Sequence, residues 1–268
     1  MNKKVIIITG ASSGIGLACA REFSRRDYKV VLAARNIEKL SVVEQEIKAY
    51  NQDVICLKID VSVEKDCKIL IEETIKHFGC IDVLINNAGI SMRALFKDLD
   101  LKVLHSLMNT NFWGAVYCTK FALPYILEKN GSIVGISSIA GFMGLPGRTG
   151  YSASKFALHG FLETLRVEHL KQRLHVMIVA PGFTTSNIRT TALSADGSMQ
   201  GESPRDESKM MSAEQVACHI YKGIVKRKKL IVLTSQGKLA VALRKFVPGL
   251  IYYFEYLEMK KEPNSPLK

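Results

Sequence analysis

The 268-residue sequence has no C-x-x-C pair, no internal repeat and no long uninterrupted apolar run, and it is short of acidic residues. Each shortage excludes something. Cys19, Cys56, Cys67, Cys80, Cys118 and Cys218 are scattered; they read as reduced, hydrophobe-like side chains of a cytoplasmic protein, not as a zinc site or a disulfide framework. His77, His105, His159, His169, His175 and His219 show no ligand spacing with a carboxylate or cysteine, so no metal is expected. The N-terminal apolar run is too short for a signal peptide and ends in a glycine loop. A solitary tryptophan, Trp113, reads as helix packing.

The acid deficit leaves a net charge of +12, and eight of those charges fall between Lys222 and Lys268. Such a patch attracts nucleic acid, anionic lipid or an anionic small molecule, or is simply a solvated face. No nucleic-acid-binding motif accompanies it, which speaks against a nucleic-acid role.

Hydrophobic residues make up 47% of the chain, enough for one large domain. Apolar, β-branched runs alternate with amphipathic stretches up to about residue 235, the pattern of repeated βα units around a parallel sheet. Strands are expected at Val5–Ile8, Lys29–Ala34, Val54–Ile59, Asp82–Asn86, Ser132–Ser137, His175–Ala180 and Leu230–Thr234. Runs such as V-I-I-I and V-M-I-V-A suit strands covered on both faces. Asn36, Ser62 and Ser212 with Gln215 are predicted helix starts. The domain is predicted over residues 1–235, with a basic, apolar extension over 236–268. Ser186 to Ser212, rich in Ser, Gly and acids and containing Pro204, is long for a connection in a compact domain. It is a lid or a plain loop; its place after the sixth strand, where open α/β sheets bind ligands, favours a substrate lid.

Directly after the first strand stands T-G-A-S-S-G-I-G, Thr9 to Gly16. Gly10 permits the tight turn, Gly14 lets the backbone approach a pyrophosphate, and Gly16 lets the following helix pack closely on the strand. The helix start adds free N–H groups and a positive dipole end. The second strand ends V-V-L-A-A-R. An acid there would read the ribose of NAD, whereas the Arg35 guanidinium suits the extra phosphate of NADP, so NADP(H) is expected in preference to NAD(H). Further along, Tyr151 and Lys155 in Y-S-A-S-K lie four apart, one above the other on a helix. An ammonium beside the phenol is expected to lower the tyrosine's pKa towards neutrality, giving a general acid/base.

Together with D-V at Asp60, N-N-A-G at Asn86, N-x-x-G at Asn111, I-S-S at Ile136 and P-G at Pro181, these motifs resemble the short-chain dehydrogenase/reductase family over about residues 4–235. The resemblance implies a doubly wound α/β fold with a seven-stranded parallel sheet ordered 3-2-1-4-5-6-7. It implies catalytic roles for Asn111, Ser138, Tyr151 and Lys155, with Ser137 the weaker candidate for the serine. Tyr151 would protonate the carbonyl oxygen, Ser138 would hold it, Lys155 would tune the tyrosine and bind the nicotinamide ribose, and Asn111 would hold a proton-relaying water. The cofactor would meet Gly10, Ser12, Ser13, Gly14, Ile15, Gly16 and Arg35, Asp60 and Val61 at the adenine, Asn87, Ala88 and Gly89 at the ribose, and Pro181, Gly182 and Thr184 on the nicotinamide side. Many NADP-using members carry a basic residue where this chain has Ser13, so Arg35 bears the preference. A homodimer or homotetramer follows from the same likeness.

The activity so implied is NADPH-dependent reduction of a ketone or aldehyde. Two alternatives stand beside it: a reductase of a long-chain lipid ketone such as 3-ketosphinganine at a membrane surface, and a non-catalytic NADP(H)-binding scaffold or sensor. The lipid reading draws on Lys238 to Tyr256, which is apolar, aromatic and basic together. Arg244, Lys245, Pro248 and Glu255 argue against a bilayer-spanning helix. The segment is then an interfacial element, making the protein peripherally membrane-associated, or an ordinary helix that closes the pocket or contacts a subunit.

Overall fold

The computed structural model describes residues 3–203 and 210–268. Five βα units open the chain: β1 (Val5–Thr9) and α1 (Gly14–Ser24), β2 (Lys29–Ala34) and α2 (Ile37–Lys48), β3 (Val54–Lys58) and α3 (Glu64–Phe78), β4 (Val83–Asn86) and α4 (Leu101–Met108) with α5 (Gly114–Glu128), then β5 (Ser132–Ile136) and α6 (Thr149–Glu168). They are followed by β6 (His175–Ala180), α7 (Ala213–Val225), β7 (Leu230–Val232), α8 (Ser235–Leu243) and α9 (Pro248–Lys261). All seven strands pair in parallel in the order β3-β2-β1-β4-β5-β6-β7, as the resemblance implies.

Alternation along each strand supplies two cores. Ile6, Ile8, Val30 and Leu32 pack with Phe23, Leu40, Ile47, Val216 and Ile220 from α1, α2 and α7. Ile7, Val31 and Ala33 face Leu70, Ile126, Leu158 and Leu162 from α3, α5 and α6. The strand order reverses between β1 and β4, which opens a crevice at the C-terminal ends of the strands, the place where such folds bind ligands.

The strand expectations differ from the structure only at their ends. Ile59, Asp82, Ser137 and Leu233–Thr234 lie outside the strands, although the Ser137 N–H still donates to Val179 O at 2.7 Å. Thr234 leaves the sheet at φ 65°, and its hydroxyl oxygen caps α8 by accepting from the Gly237 N–H. Asn36 caps α2, and Ser212 with Gln215 forms a full capping box on α7. Ser62 does not cap α3: its hydroxyl donates to Asp60 Oδ1 at 2.7 Å, and the N-cap is Val63. The nearer carboxylate holds the hydroxyl, so the helix start is left to the acidic Glu64 and Asp66 in its first turn.

Candidate active site

A cleft of about 760 Å³ runs across the C-terminal ends of the strands and is lined from Gly10 and Arg35 at one end to Ser138, Tyr151 and Thr184 at the other. Its floor begins at the glycine turn. Gly10 and Gly14 have positive φ, 66° and 53°, a region open chiefly to glycine. A Cβ on Gly16 would lie 2.2 Å from Gly10 O, so the turn and the helix touch. Ser13, the N-cap of α1, makes no side-chain cap, which leaves the first N–H groups of the helix facing the cleft. Asn87 braces this turn by donating from Nδ2 to Thr9 O and Gly10 O, while the Thr9 hydroxyl accepts from the Asn87 and Ala88 N–H groups. The cradle fits a dinucleotide pyrophosphate: close backbone, free donors and no side chain in the way.

Arg35 and Lys39 line the cleft beside the start of α2. Lys39 does not figure in the sequence reading; its place one turn into α2, four residues past Arg35, is the signal that could have found it. Opposite them are Asp60 and Val61. The Asp60 carboxylate is engaged by the Ser62 N–H and hydroxyl, and Val61 packs so tightly on Gly114 that a Cβ there would come within 2.7 Å of it. Ser12, Ile15, Ala88, Gly89, Pro181 and Gly182 complete the walls.

At the other end four elements converge. Ser138 stands just past β5 and caps a 3₁₀ turn at Ile139–Gly141, its Oγ accepting from the Ala140 N–H at 3.2 Å. Tyr151 and Lys155 come from α6, both buried. Asn111 sits in a π turn at Asn109–Trp113 between α4 and α5, an irregularity often found at functional sites. Its Oδ1 accepts from the Ile90 N–H and its Nδ2 donates to Ile90 O and Ser154 Oγ. The Lys155 ammonium donates to Ile136 O at 2.9 Å, and a Cβ on Gly89 would lie 3.2 Å from Asn111 Oδ1 and 3.6 Å from Lys155 Nζ. Thr184 is buried, its hydroxyl donating to Gly182 O. Of the expected catalytic and cofactor-binding residues, all but Gly16 and Asn111 line this one cleft, and those two abut Gly10 and Gly89 in its wall.

The expected direction of the tyrosine's shift is not what the structure gives. Burial pushes the Tyr151 phenol above its usual value, and a hydrogen bond with Ser138 and the charges of Arg148 and Arg189 only partly oppose it. Burial also pulls Lys155 down to about 8. The pair fails as a simple electrostatic switch in the ligand-free protein because desolvation penalises both charged forms. Arg148, whose Nη1 donates to Ser91 Oγ and Met92 O, lies three residues before Tyr151 and Arg189 lies in the segment after β6; neither belonged to any recognised motif.

The described part of residues 186–212 covers this end of the cleft. Leu193 pairs with Met92 and Met199, and Ile188, Leu193 and Ala195 pack on the cluster of Met92, Val103, Leu107 and Tyr151. Pro204 lies outside the described residues. The C-terminal extension reaches the same wall from outside. Arg93, next to Met92, forms an ion pair of 3.1 Å with Glu262 and donates to Pro263 O at 2.8 Å, with both charged side chains buried. Among the described residues no group of His, Cys, Asp and Glu could hold a metal, and no helix is long and apolar enough to cross a membrane.

Comparison with known proteins agrees with the geometry. The short chain dehydrogenase family profile matches residues 4–196. The chain is 34% identical to dehydrogenase/reductase SDR family member 7B of Mus musculus over 99% of its own length and 84% of that protein. It is 38% identical to 11-beta-hydroxysteroid dehydrogenase-like 4A of Arabidopsis thaliana, covering 94% of this chain and 83% of the relative. Among solved structures, ElxO with NADP bound superposes with a TM-score of 0.75 at 29% identity, over 86% of this chain and 97% of ElxO. A short chain dehydrogenase/reductase from Burkholderia phymatum in complex with NAD reaches a TM-score of 0.83 at 24% identity over 93% and 95% of the two chains.

Proposed function

The chain belongs to the short-chain dehydrogenase family, and from that premise we propose that it is an NADPH-dependent reductase of a ketone or aldehyde with Tyr151 as general acid. Membership makes it an oxidoreductase of alcohol and carbonyl groups with a nucleotide-binding Rossmann fold. The reductase reading is carried by the convergence of Ser138, Tyr151, Lys155 and Asn111 on the cleft that Gly10 and Arg35 open at its other end.

The bound dinucleotide would supply the hydride. Gly10, Gly14 and the N-terminus of α1 would hold its pyrophosphate, and Arg35, with Lys39, would bind the adenosine 2′-phosphate. Ser138 and Tyr151 grip the substrate oxygen, so charge that develops there meets two hydroxyl donors in a water-poor site. Tyr151 then gives up its phenolic proton, and Lys155 and Asn111 hold the hydrogen-bonded surroundings from which it is replaced. The 186–212 segment acts as the substrate lid. A binding-only scaffold would need the glycine turn and Arg35 but not the Asn-Ser-Tyr-Lys set.

NADPH oxidation against short, steroid-sized and long-chain ketones tests the reading: turnover with at least one class is expected, and none across the panel favours the scaffold. Loss of the Arg35 charge–phosphate contact in Arg35→Ala is expected to cut the preference for NADPH over NADH by about tenfold to a hundredfold. An unchanged preference would remove Arg35 from the cofactor site.

A second reading concerns where the protein works. On α9, Ile251, Glu255 and Met259 form the inward seam, while Leu250, Tyr252, Tyr253, Phe254 and Tyr256 are exposed, and Phe246 before it is 82% exposed. Arg244, Lys245, Lys260 and Lys261 flank these aromatics. Aromatic and cationic side chains together suit an anionic lipid surface, and a long-chain lipid ketone would be met there. Co-sedimentation with phosphatidylserine-containing vesicles at low salt is expected, with loss in Phe246→Glu/Tyr253→Glu; a protein that stays in the supernatant rules this out. The apolar strip of Phe112 in the π turn with Phe161 and Leu165 of α6 supports the subunit contact of a homodimer or homotetramer.

A further inference from the structure

Behind Ser138 lies a buried polar pair that the catalytic scheme does not use. The Ser137 hydroxyl and His159 Nε2 are 2.6 Å apart. Ser137 is the residue before Ser138, fixed to the end of the sheet through Val179 O. His159 is on α6 one turn beyond Lys155 and two turns beyond Tyr151, on the same face. The pair therefore ties the loop that presents Ser138 to the helix that presents Tyr151 and Lys155.

The surroundings are built to this contact. Gly141, in the 3₁₀ turn that Ser138 caps, has no side chain where a Cβ would stand 2.6 Å from both Ser137 Oγ and His159 Nε2. Phe142 meets the imidazole edge-on, with centroids 4.6 Å apart. Arg244, beyond α8, donates to Phe142 O and lies over the Phe156 ring. The imidazole is thus enclosed and away from the cleft. It remains neutral through the physiological range: burial and, secondarily, the Lys155 charge pull its pKa down to about 4. With the hydrogen on Nε2, His159 donates to Ser137 Oγ, and the serine hydroxyl is left to donate towards Ser138 O at 3.5 Å.

We propose that Ser137 and His159 are positioning residues that hold the Ser138 hydroxyl against the Tyr151 phenol. Ser137 borders the cleft, but its hydroxyl is engaged by His159, which does not line it. The proposal rests on Tyr151 and Ser138 acting as assigned above, and a displacement of about 1 Å between two such groups costs up to about a hundredfold in rate.

The test has one arm that needs turnover and one that does not. With 9,10-phenanthrenequinone as the carbonyl probe, Ser137→Ala and His159→Leu are expected to lower kcat about tenfold, with KM for NADPH little changed. Because the residues act as one contact, the double variant should be no worse than either single one. His159→Gln, which can still hydrogen-bond Ser137, should recover most of the rate. Independently, the ¹³Cζ resonance of Tyr151, assigned with Tyr151→Phe, reports the hydrogen bonding of the phenol in the ligand-free protein. In Ser137→Ala and His159→Leu it is expected to move towards its position in Ser138→Ala, and in His159→Gln to stay at the wild-type value. A wild type that does not reduce the probe counts against that substrate or the reductase reading, and the resonance still decides the positioning role. An unmoved resonance in His159→Leu and Ser137→Ala, with only a lowered Tm, overturns the proposal.

Discussion

Tyr151→Phe is expected to lower kcat for carbonyl reduction by about a hundredfold to ten-thousandfold, the range for losing a placed general acid, while NADPH still binds. The ring keeps its packing against Met92 and Leu107, so the fold should be undisturbed and the loss should appear in kcat. The pH dependence separates this site from a tyrosine activated in the simple way. Since burial holds Tyr151 above its ordinary value, the phenol keeps its proton from acid to mildly alkaline pH, the form a reductase needs. Lys155 is the group that titrates in range, at about 8. Its charged form is present below that pH and is lost as pH rises through it. Since kcat/KM for NADPH reports the ionisations of the free protein, its alkaline limb should fall from near pH 8. Stopped assays from pH 6 to 10 measure this. A limb that is absent, or that rises above pH 8, removes Lys155 from the chemistry, and Lys155→Met should abolish the limb along with most activity.

How far these features can be read from sequence depends on whether their cause is local. The sheet order follows the family motifs, and V-I-I-I or V-M-I-V-A read as strands because they are short, β-branched and flanked by glycine or proline turns, and a doubly covered parallel sheet buries such runs. The glycine turn is equally local, since its φ values demand glycine. Ser62 shows where local reading stops: a capping residue by type, it is captured by Asp60, a competition decided by geometry. The sign of the Tyr151 shift depends on how deeply α6 is buried, which i,i+4 spacing does not encode. Arg148 and Arg189 reach the cleft only because separate segments fold over it. Ser137 and His159, 22 residues apart, meet only when α6 packs beneath the end of β5.

The least legible contact carries the second large effect. Glu262→Ala is expected to destabilise the protein by about 3 kcal/mol, because it leaves the Arg93 guanidinium buried without its carboxylate. For a chain of this size that lowers Tm by on the order of 5–10 °C. The two residues are 169 positions apart, and nothing in the composition of the tail points to Arg93. Their pairing braces one wall of the cleft: the Arg93 N–H donates to Leu193 O in the segment after β6, and the Ala94 N–H donates to Gly147 O. On its other side Gly147 is closely approached by Met259 and Pro266 of the extension. On the proposed reading, loss of Glu262 should also raise KM for the carbonyl more than it lowers kcat, since that wall would meet substrate and not the reacting atoms. Replacing both partners, Arg93→Met/Glu262→Leu, removes the orphaned charge and should recover most of the stability, because a buried ion pair is often no more stabilising than an apolar pair of similar volume. Urea unfolding of the three variants decides it. If Glu262→Ala unfolds like the wild type, the extension is not anchored through Arg93, and the C-terminal helices do not shape the pocket.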